Sequence, residues 1–295
     1  MTKEKKIIAP NEANLGRWII VLLVGLLAGS VIGTPLTILA QTKTSFVFGS
    51  PVSAIFTMLT FVPLFWCTVL AIKLIGKTSL KDFVLGVGGS VNKKECLTVF
   101  GLYTLGFVLH CIPSALKGEI RFNDIKAGEF AFLLVFALAT TWMQTTWEEL
   151  TYRGALIRWA CKNKVGYNKK SVIGGILVTL IFAASHATNP EVTSLHGFDV
   201  VVMMLSYVIP GLMYHFASVH FGTLLPGIIM HLTNNFLLFT MISGEVSAMP
   251  FPTLFVETAT HNAARTLLGT VITYLPMLIY MIVIGIRRKK AAAAA

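Results

Sequence analysis

Runs of about 20 mostly apolar residues recur along the chain from Gly16 to Gly285, and they constrain the fold more than any other feature. Hydrocarbon cannot hydrogen-bond to backbone groups, so membrane-spanning chains form helices or closed barrels. No segment shows the alternation of polar and apolar residues that membrane barrels need. We therefore predict an all-α, polytopic membrane bundle of eight transmembrane helices. The predicted spans are 16–40, 51–76, 96–117, 128–159, 171–190, 198–220, 222–242 and 264–286.

Composition indicates one transmembrane domain. Charged residues make up 13% of the chain, against about a quarter in soluble domains, and no segment is polar enough for a separate soluble domain. The first apolar run, 16–40, is too long for the hydrophobic region of a signal peptide and is taken as the first span. We assign 1–15 to an N-terminal tail and 16–290 to the domain. The alanine tail 291–295 has no pattern to interpret.

The net charge of +11 is explained by membrane topology rather than by nucleic-acid binding, because the basic residues lie in short loops beside the spans. If the N-terminus is cytoplasmic, 19 of the 24 basic residues fall on the cytoplasmic side. The opposite side holds Lys43, Lys117, Arg121, Lys126 and Arg265. We predict that both termini are cytoplasmic. The short lysine-rich loops favour a bacterial plasma membrane.

Cysteine spacing excludes two further classes of site. The chain has no C-x-x-C pair, so neither a disulfide framework nor a thiolate metal site is indicated. We interpret the cysteines as small core residues: Cys67, Cys96, Cys111 and Cys161.

The segment WEELTYRG places two carboxylates after the uncharged run 130–146. Ionisable groups inside a membrane cost several kcal/mol, about 2.5–3.5 on insertion scales, so each requires a partner or a function. Glu149 and Arg153 are spaced i,i+4, which predicts an ion pair. Glu148 then points about 100° away around the helix and is free for another role.

Histidines at a similar depth are the other candidates. Glu148 lies 14 residues before the basic loop 162–170, and His186 lies 16 residues after it. At 1.5 Å per residue, these separations are about 21 and 24 Å, which predicts that the two side chains are level on antiparallel helices. His231 and Asn235 are spaced i,i+4 and share one helix face. His110 and His215 have no motif around them and are interpreted as packing or interhelical hydrogen-bonding residues.

A carboxylate, two imidazoles and an amide that meet within the membrane can hydrolyse a peptide bond. The carboxylate takes a proton from water, a histidine orients that water, and an imidazole with an amide stabilises the oxyanion. Ser185 precedes His186 directly, but adjacent helical residues do not face each other, which disfavours a serine nucleophile. The chain has no G-x-S-x-G motif. A paired-aspartate protease is disfavoured as well, because the aspartates lie in loops or at helix ends: Asp82, Asp124 and Asp199.

Three motifs occur in order along the chain: EELTYR, FAASH and HLTNN. With these residues the chain resembles the CAAX protease and bacteriocin-processing family of intramembrane endopeptidases, also called the Abi family. The resemblance covers about residues 130–240 and predicts a protease core at 128–242. Tyr152 is one departure, because relatives more often have Phe before the arginine. The matching positions are Glu148, Glu149, Arg153, Phe182, His186, His231 and Asn235.

The resemblance implies a role for each position. Glu148 would activate water with help from His186, and His231 with Asn235 would stabilise the oxyanion. Glu149, Arg153 and Phe182 would support the site. Family members have also been described as metalloproteases, and Glu148, His186 and His231 could ligate zinc in an open three-ligand site. We favour a metal-free mechanism that requires no cofactor, and zinc stays open.

Substrates implied by the resemblance are membrane-associated peptides or lipid-modified tails that enter from the cytoplasm or sideways from the bilayer. We favour peptide processing. Two other classes of function stay open: a non-catalytic bacteriocin-immunity or sensor-regulating protein, and a proton-coupled transporter that uses the same acid and histidines as a relay. Intact motifs disfavour the first, and the absence of an evident internal repeat disfavours the second.

Overall fold

The computed structural model describes residues 15–44, 51–86, 89–161, 166–244, 246–248 and 251–294. The predicted tail before Leu15 lies outside the described residues, and so do the basic residues Lys162 and Lys164. The orientation of the bundle in a membrane stays a prediction.

Helices dominate the described ranges, which also contain one π-helical segment and three short strands. The π-helical segment, Leu150–Leu156, joins α6 to α7 without a break. The helices are α1 (Leu15–Thr44), α2 (Pro51–Leu59), α3 (Phe61–Leu74), α4 (Leu80–Leu85), α5 (Lys93–Leu116), α6 (Ala127–Glu149), α7 (Ile157–Ala160), α8 (Lys169–Ala184), α9 (Pro190–Thr193), α10 (Phe198–Phe221), α11 (Leu225–Thr240) and α12 (Ala263–Ala294).

The predicted all-α membrane bundle is confirmed, but the count of eight spans is not. Among the described residues, six helical stretches are long and apolar enough to cross a bilayer: Gly16–Leu39, Ile55–Leu74, Lys93–Leu116, Ala127–Ala160, Phe198–Phe221 and Ala263–Arg287. The predicted spans 171–190 and 222–242 correspond to α8 and α11, which have 16 residues each. Such a helix is about 24 Å long, shorter than the roughly 30 Å hydrocarbon core.

Side-chain exposure is reversed relative to a soluble protein. Large apolar side chains on α1, α8 and α12 point outwards, among them Leu27, Leu177 and Leu275. Buried positions on α6, α10 and α11 include many polar side chains. Lipid would surround the apolar surface, so the polar groups must find partners inside the bundle.

The three strands form a small sheet that the sequence did not reveal. Strand β1 (Ile120–Phe122) pairs antiparallel with β3 (Phe255–Glu257), which pairs in parallel with β2 (Ile242–Gly244). Beside this sheet, Arg265 forms ion pairs with Glu119 and Glu257 at 2.6 and 2.8 Å. These contacts connect the start of α12 to the loops that follow α5 and α11.

Helix α11 lies at the centre of the bundle and contacts α5, α6 and α10, while α8 packs on α10. An apolar cluster that includes Tyr103, Tyr214 and Met230 fills the space between α5, α10, α11 and α12. The polar faces of α6 and α11 are thereby held against each other.

Candidate active site

Glu148 and Glu149 end α6 with 5% and 0% of their surface exposed, so neither belongs to a solvated helix end. The helix widens into the π-helical segment at the next residue, Leu150. Short π-helical segments inside α-helices occur frequently at functional sites. The estimate of the depth of Glu148 used the rise of a regular α-helix up to the basic loop. The π-helical segment shows that the helix is not regular beyond Glu149.

The predicted ion pair between Glu149 and Arg153 is confirmed. Arg153 Nη1 lies 3.0 Å from Glu149 Oε1, and Arg153 Nη2 donates to the Gly211 carbonyl at 3.1 Å. The guanidinium carbon lies 4.3 Å from the centroid of the Phe182 ring, in a cation–π contact. Arginine is thus held at depth by a carboxylate, a carbonyl and an aromatic face.

Gly211 leaves the room that the guanidinium occupies. A Cβ atom at this position would lie 2.9 Å from Arg153 Nη2 and 2.7 Å from Thr179 Cγ2. Only a residue without a side chain lets α10 approach α8 and Arg153 this closely.

His231 lies between the two carboxylates. Its Nδ1 is 2.9 Å from Glu149 Oε1, and its Nε2 is 3.7 Å from Glu148 Oε2. Because a carboxylate only accepts hydrogen bonds, Nδ1 is the donor to Glu149. The ring stacks on Tyr214, with centroids 4.7 Å apart and planes 17° apart. The imidazole is therefore fixed on both its edge and its face.

Glu148 has one oxygen held and one free. Its Oε1 accepts a hydrogen bond from Gln144 Nε2 at 3.1 Å. Its Oε2 is buried and has no hydrogen-bond partner among the described residues. Buried polar atoms are normally satisfied, so an exception points to a ligand, a water or a chemical role.

Asn235 joins the site through Gln144, because its Nδ2 donates to Gln144 Oε1 at 3.2 Å. His231 and Asn235 therefore both face α6, as their i,i+4 spacing predicts. Gln144 was missed in the sequence. Its spacing of i−4 from Glu148, within a run that has no charge, is the signal that could have found it.

His186 is not on a helix, and the predicted span 171–190 is wrong at this end. Helix α8 ends at Ala184, and His186 lies in the turn that follows. Its Nδ1 donates to the Phe182 carbonyl at 2.8 Å, which leaves Nε2 as the acceptor of the neutral ring. The imidazole is half-buried between Phe182 and Tyr207, with both ring centroids 4.6 Å away.

The turn also changes the argument about Ser185. Ser185 Oγ lies 3.3 Å from His186 Nδ1, so the two adjacent residues do approach each other. However, Ser185 Oγ donates its proton to the Phe182 carbonyl at 2.7 Å and receives a hydrogen bond from Tyr152. Since His186 Nδ1 is itself a donor, it cannot take the serine proton. A serine nucleophile stays disfavoured, but for this reason.

Phe182 separates the two histidines. Its ring centroid lies 4.6 Å from that of His186 and 6.0 Å from that of His231. Within the described ranges, no hydrogen bond joins His186 to Glu148 or His231. The carboxylates, His231 and Asn235 thus form one connected group, and His186 lies one aromatic ring away. Tyr207, which sequence reasoning missed, stacks on His186, and its hydroxyl donates to Glu191 and accepts from Asn189.

The proposed zinc ligands suit the metal chemically but do not converge. Two imidazoles with Nδ1 held by a hydrogen bond and one carboxylate are common zinc donors. In the described parts of the chain, however, no three His, Cys, Asp or Glu side chains come together as a metal-binding group. The arrangement of Glu148, His186 and His231 therefore does not fit a three-ligand zinc site.

A family model described as type II CAAX prenyl endopeptidase, Rce1-like, matches residues 130–237. This region is similar to the Rce1-like CAAX protease family. It begins in α6, ends in α11 and contains all seven candidate positions. At the family level the match supports an intramembrane endopeptidase, in agreement with the motifs. No curated protein and no solved structure matches the chain.

Proposed function

We propose that the chain is an intramembrane endopeptidase in which Glu148 activates a water molecule for attack on a peptide bond. The observation that carries this proposal is the environment of the Glu148 carboxylate oxygen Oε2. Its Oε2 is buried, has no hydrogen-bond partner among the described residues, and lies 3.7 Å from His231 Nε2. A general base needs a free lone pair beside groups that can bind the reacting atoms.

In the proposed reaction, Glu148 Oε2 removes a proton from water while the water oxygen bonds to the carbonyl carbon of the scissile peptide. The carbonyl oxygen becomes the oxyanion of a tetrahedral intermediate. When the carbon–nitrogen bond breaks, the proton held by Glu148 passes to the leaving amine. General base catalysis of this kind contributes about 10²–10⁴-fold to a rate.

His231 and Asn235 are the proposed oxyanion donors. As an imidazolium, His231 donates from Nδ1 to Glu149 and has Nε2–H for the substrate oxygen. Two carboxylates, the guanidinium of Arg153 and this imidazolium carry no net charge together, which lowers the cost of burying them. Preorganised donors in a site without bulk water stabilise developing charge strongly.

His186 is the proposed water-orienting residue. Its Nδ1 is fixed on the Phe182 carbonyl, so Nε2 is free to accept a proton of the attacking water. We place that water on the Tyr207 side of Phe182, because the Tyr207 ring stacks on His186 there. No metal ion is required in this mechanism.

An apolar groove beside the site supports a substrate from the bilayer. The groove has a volume of about 420 Å³ and runs between the end of the α6–α7 helix and α8. It reaches Ala184, the residue before Ser185, and Leu156, one turn after Tyr152. We propose that it holds the apolar part of a membrane-associated peptide or the lipid of a modified tail, such as the prenyl group named by the family.

The test is peptide cleavage by purified protein in lipid nanodiscs, followed by mass spectrometry. A prenylated peptide and an unmodified apolar peptide serve as substrates. We expect Glu148→Gln to lower the cleavage rate by about 10²–10⁴-fold. The matched control is Glu129→Gln, which alters an exposed carboxylate in the first turn of the same helix. Equal rates for Glu148→Gln and the control would refute the assignment of the base.

A further inference from the structure

Four side-chain hydrogen bonds connect three helices in one line that ends on Glu148. Tyr103 on α5 donates its hydroxyl proton to Asn234 Oδ1. Asn234 Nδ2 donates to Asn235 Oδ1 at 2.7 Å. Asn235 Nδ2 donates to Gln144 Oε1 at 3.2 Å, and Gln144 Nε2 donates to Glu148 Oε1 at 3.1 Å.

Every donor in this line points the same way, and chemistry dictates the direction. An ionised carboxylate accepts hydrogen bonds but cannot donate, so Gln144 must turn its NH₂ group towards Glu148. The Gln144 oxygen then faces Asn235, which must turn its own NH₂ group towards it. By the same rule Asn234 presents its NH₂ group to Asn235, and its oxygen accepts from Tyr103.

The line fixes the face that Asn235 shows to the site. Its oxygen is capped by Asn234, and its NH₂ group faces the side of Gln144 and Glu148. Gln144 Oε1 uses only one of the two protons on that nitrogen, so the second is available to a substrate oxygen. If the carboxamide rotated by 180°, it would present an oxygen to the oxyanion, and the repulsion would oppose catalysis.

We infer that Tyr103, Asn234 and Gln144 are positioning residues that hold the Asn235 carboxamide with its NH₂ group towards the reacting carbonyl and leave Glu148 Oε2 free. This inference rests on the proposed function. None of the three residues is among the seven matching positions of the motifs, although Asn234 lies within HLTNN. Tyr103 also lies outside the matched region 130–237, so a helix beyond that region contributes to the site.

Burial explains how single hydrogen bonds can control the orientation. Tyr103 is 0%, Gln144 5% and Asn235 9% exposed. Bulk water is therefore not available to replace a lost partner of these three side chains, while Asn234 is partly buried. A chain of hydrogen bonds in a medium of low dielectric constant is strengthened by mutual polarisation. In contact with solvent the same carboxamide would rotate freely between its two orientations.

The test compares two substitutions of Asn234 by residues of similar size, one that only accepts hydrogen bonds and one that forms none. Asn234→Asp accepts from Tyr103 but cannot donate to Asn235, so Asn235 must turn its NH₂ group towards the new carboxylate. Asn234→Leu removes the hydrogen bonds without imposing either orientation. We expect kcat to fall by about 10²–10³-fold in Asn234→Asp, as when an oxyanion donor is lost. For Asn234→Leu we expect kcat to fall by about tenfold, and we expect KM to be unchanged in both variants.

Tyr103→Phe provides a second variant that removes one hydroxyl and leaves the ring in place. We expect its kcat to fall by about three- to tenfold with KM unchanged, because Asn234 loses the partner that fixes its oxygen. This variant decides the question if Asn234→Asp does not fold in detergent.

Two outcomes would overturn the inference. One is an Asn234→Asp enzyme that folds and keeps kcat within about threefold of the unsubstituted protein, against the loss expected for an oxyanion donor. The other is a Tyr103→Phe enzyme with unchanged kcat. A role in packing alone predicts that leucine impairs the enzyme as much as aspartate does. If Glu148→Gln also cleaves normally, the proposed function fails; if it is inactive, only the positioning role fails.

Discussion

Replacing Arg153 by methionine tests whether the acid pair is held by a buried ion pair. The guanidinium is 1% exposed and Glu149 is 0% exposed. The substitution therefore leaves the buried carboxylate with only the hydrogen bond from His231 and removes the donor to the Gly211 carbonyl. Breaking a buried pair by removing one partner costs about 3–5 kcal/mol. An exposed i,i+4 pair at a helix end would contribute only about 0.3–0.5 kcal/mol. The two interpretations therefore differ roughly tenfold in the expected loss of stability.

The assay is reversible unfolding in mixed detergent micelles, followed by tryptophan fluorescence. We expect Arg153→Met to lower the free energy of unfolding by about 3–5 kcal/mol. Glu149→Gln combined with Arg153→Met removes both charges but keeps an oxygen for His231. The free energy of unfolding of this double variant should be at least about 1 kcal/mol higher than that of Arg153→Met alone, because the effects of neighbours in one network are not additive. Arg287→Met, at an exposed position of α12, is the matched control.

Two results would refute this reasoning. The first is an Arg153→Met protein within about 0.5 kcal/mol of the unsubstituted protein, the value of a solvated pair. The second is a double variant whose loss of stability equals the sum of the losses in Glu149→Gln alone and Arg153→Met alone, since the effects of independent sites add. Either result would show that Glu149 and Arg153 stabilise the protein no more than an exposed ion pair at a helix end does.

Two further substitutions probe packing and the sheet. Gly211→Ala should lower the free energy of unfolding by about 1–3 kcal/mol, since its Cβ would lie 2.7 Å from Thr179 Cγ2 and 2.9 Å from Arg153 Nη2; an unchanged unfolding midpoint would contradict the close packing. Arg265→Met should cost at most about 1 kcal/mol and leave peptide cleavage unchanged, because Arg265 and its two carboxylate partners are 27–33% exposed. A larger loss in the same assay would show that the sheet is essential to the bundle.

The bundle and most of the site were predictable because they depend on local spacing. Apolar runs gave the helices, and i,i+4 spacing gave the Glu149–Arg153 pair and the shared face of His231 and Asn235. Gln144 could have been found by the same rule, one turn before Glu148. Helical periodicity carries this information whatever the rest of the chain does.

Other features could not be read from the sequence, because they depend on contacts distant along the chain. Helix α8 ends at Ala184 although its last five residues, 180–184, are all apolar, so His186 was placed on a helix instead of in a turn. Tyr207 and Tyr214 reach the histidines only once α10 packs against α8 and α11. Tyr103 joins Asn234 across 131 positions of the chain. No spacing rule relates residues so far apart.

The central claim is that Glu148 directs water onto the scissile carbonyl without forming a bond to substrate. It is tested most directly by a single turnover in H₂¹⁸O, with mass spectrometry of both the peptide product and the enzyme. We predict one ¹⁸O atom in the new carboxyl group of the product and none in Glu148. Label in the Glu148 carboxylate, or product formed by Glu148→Gln at the unsubstituted rate, would contradict the claim.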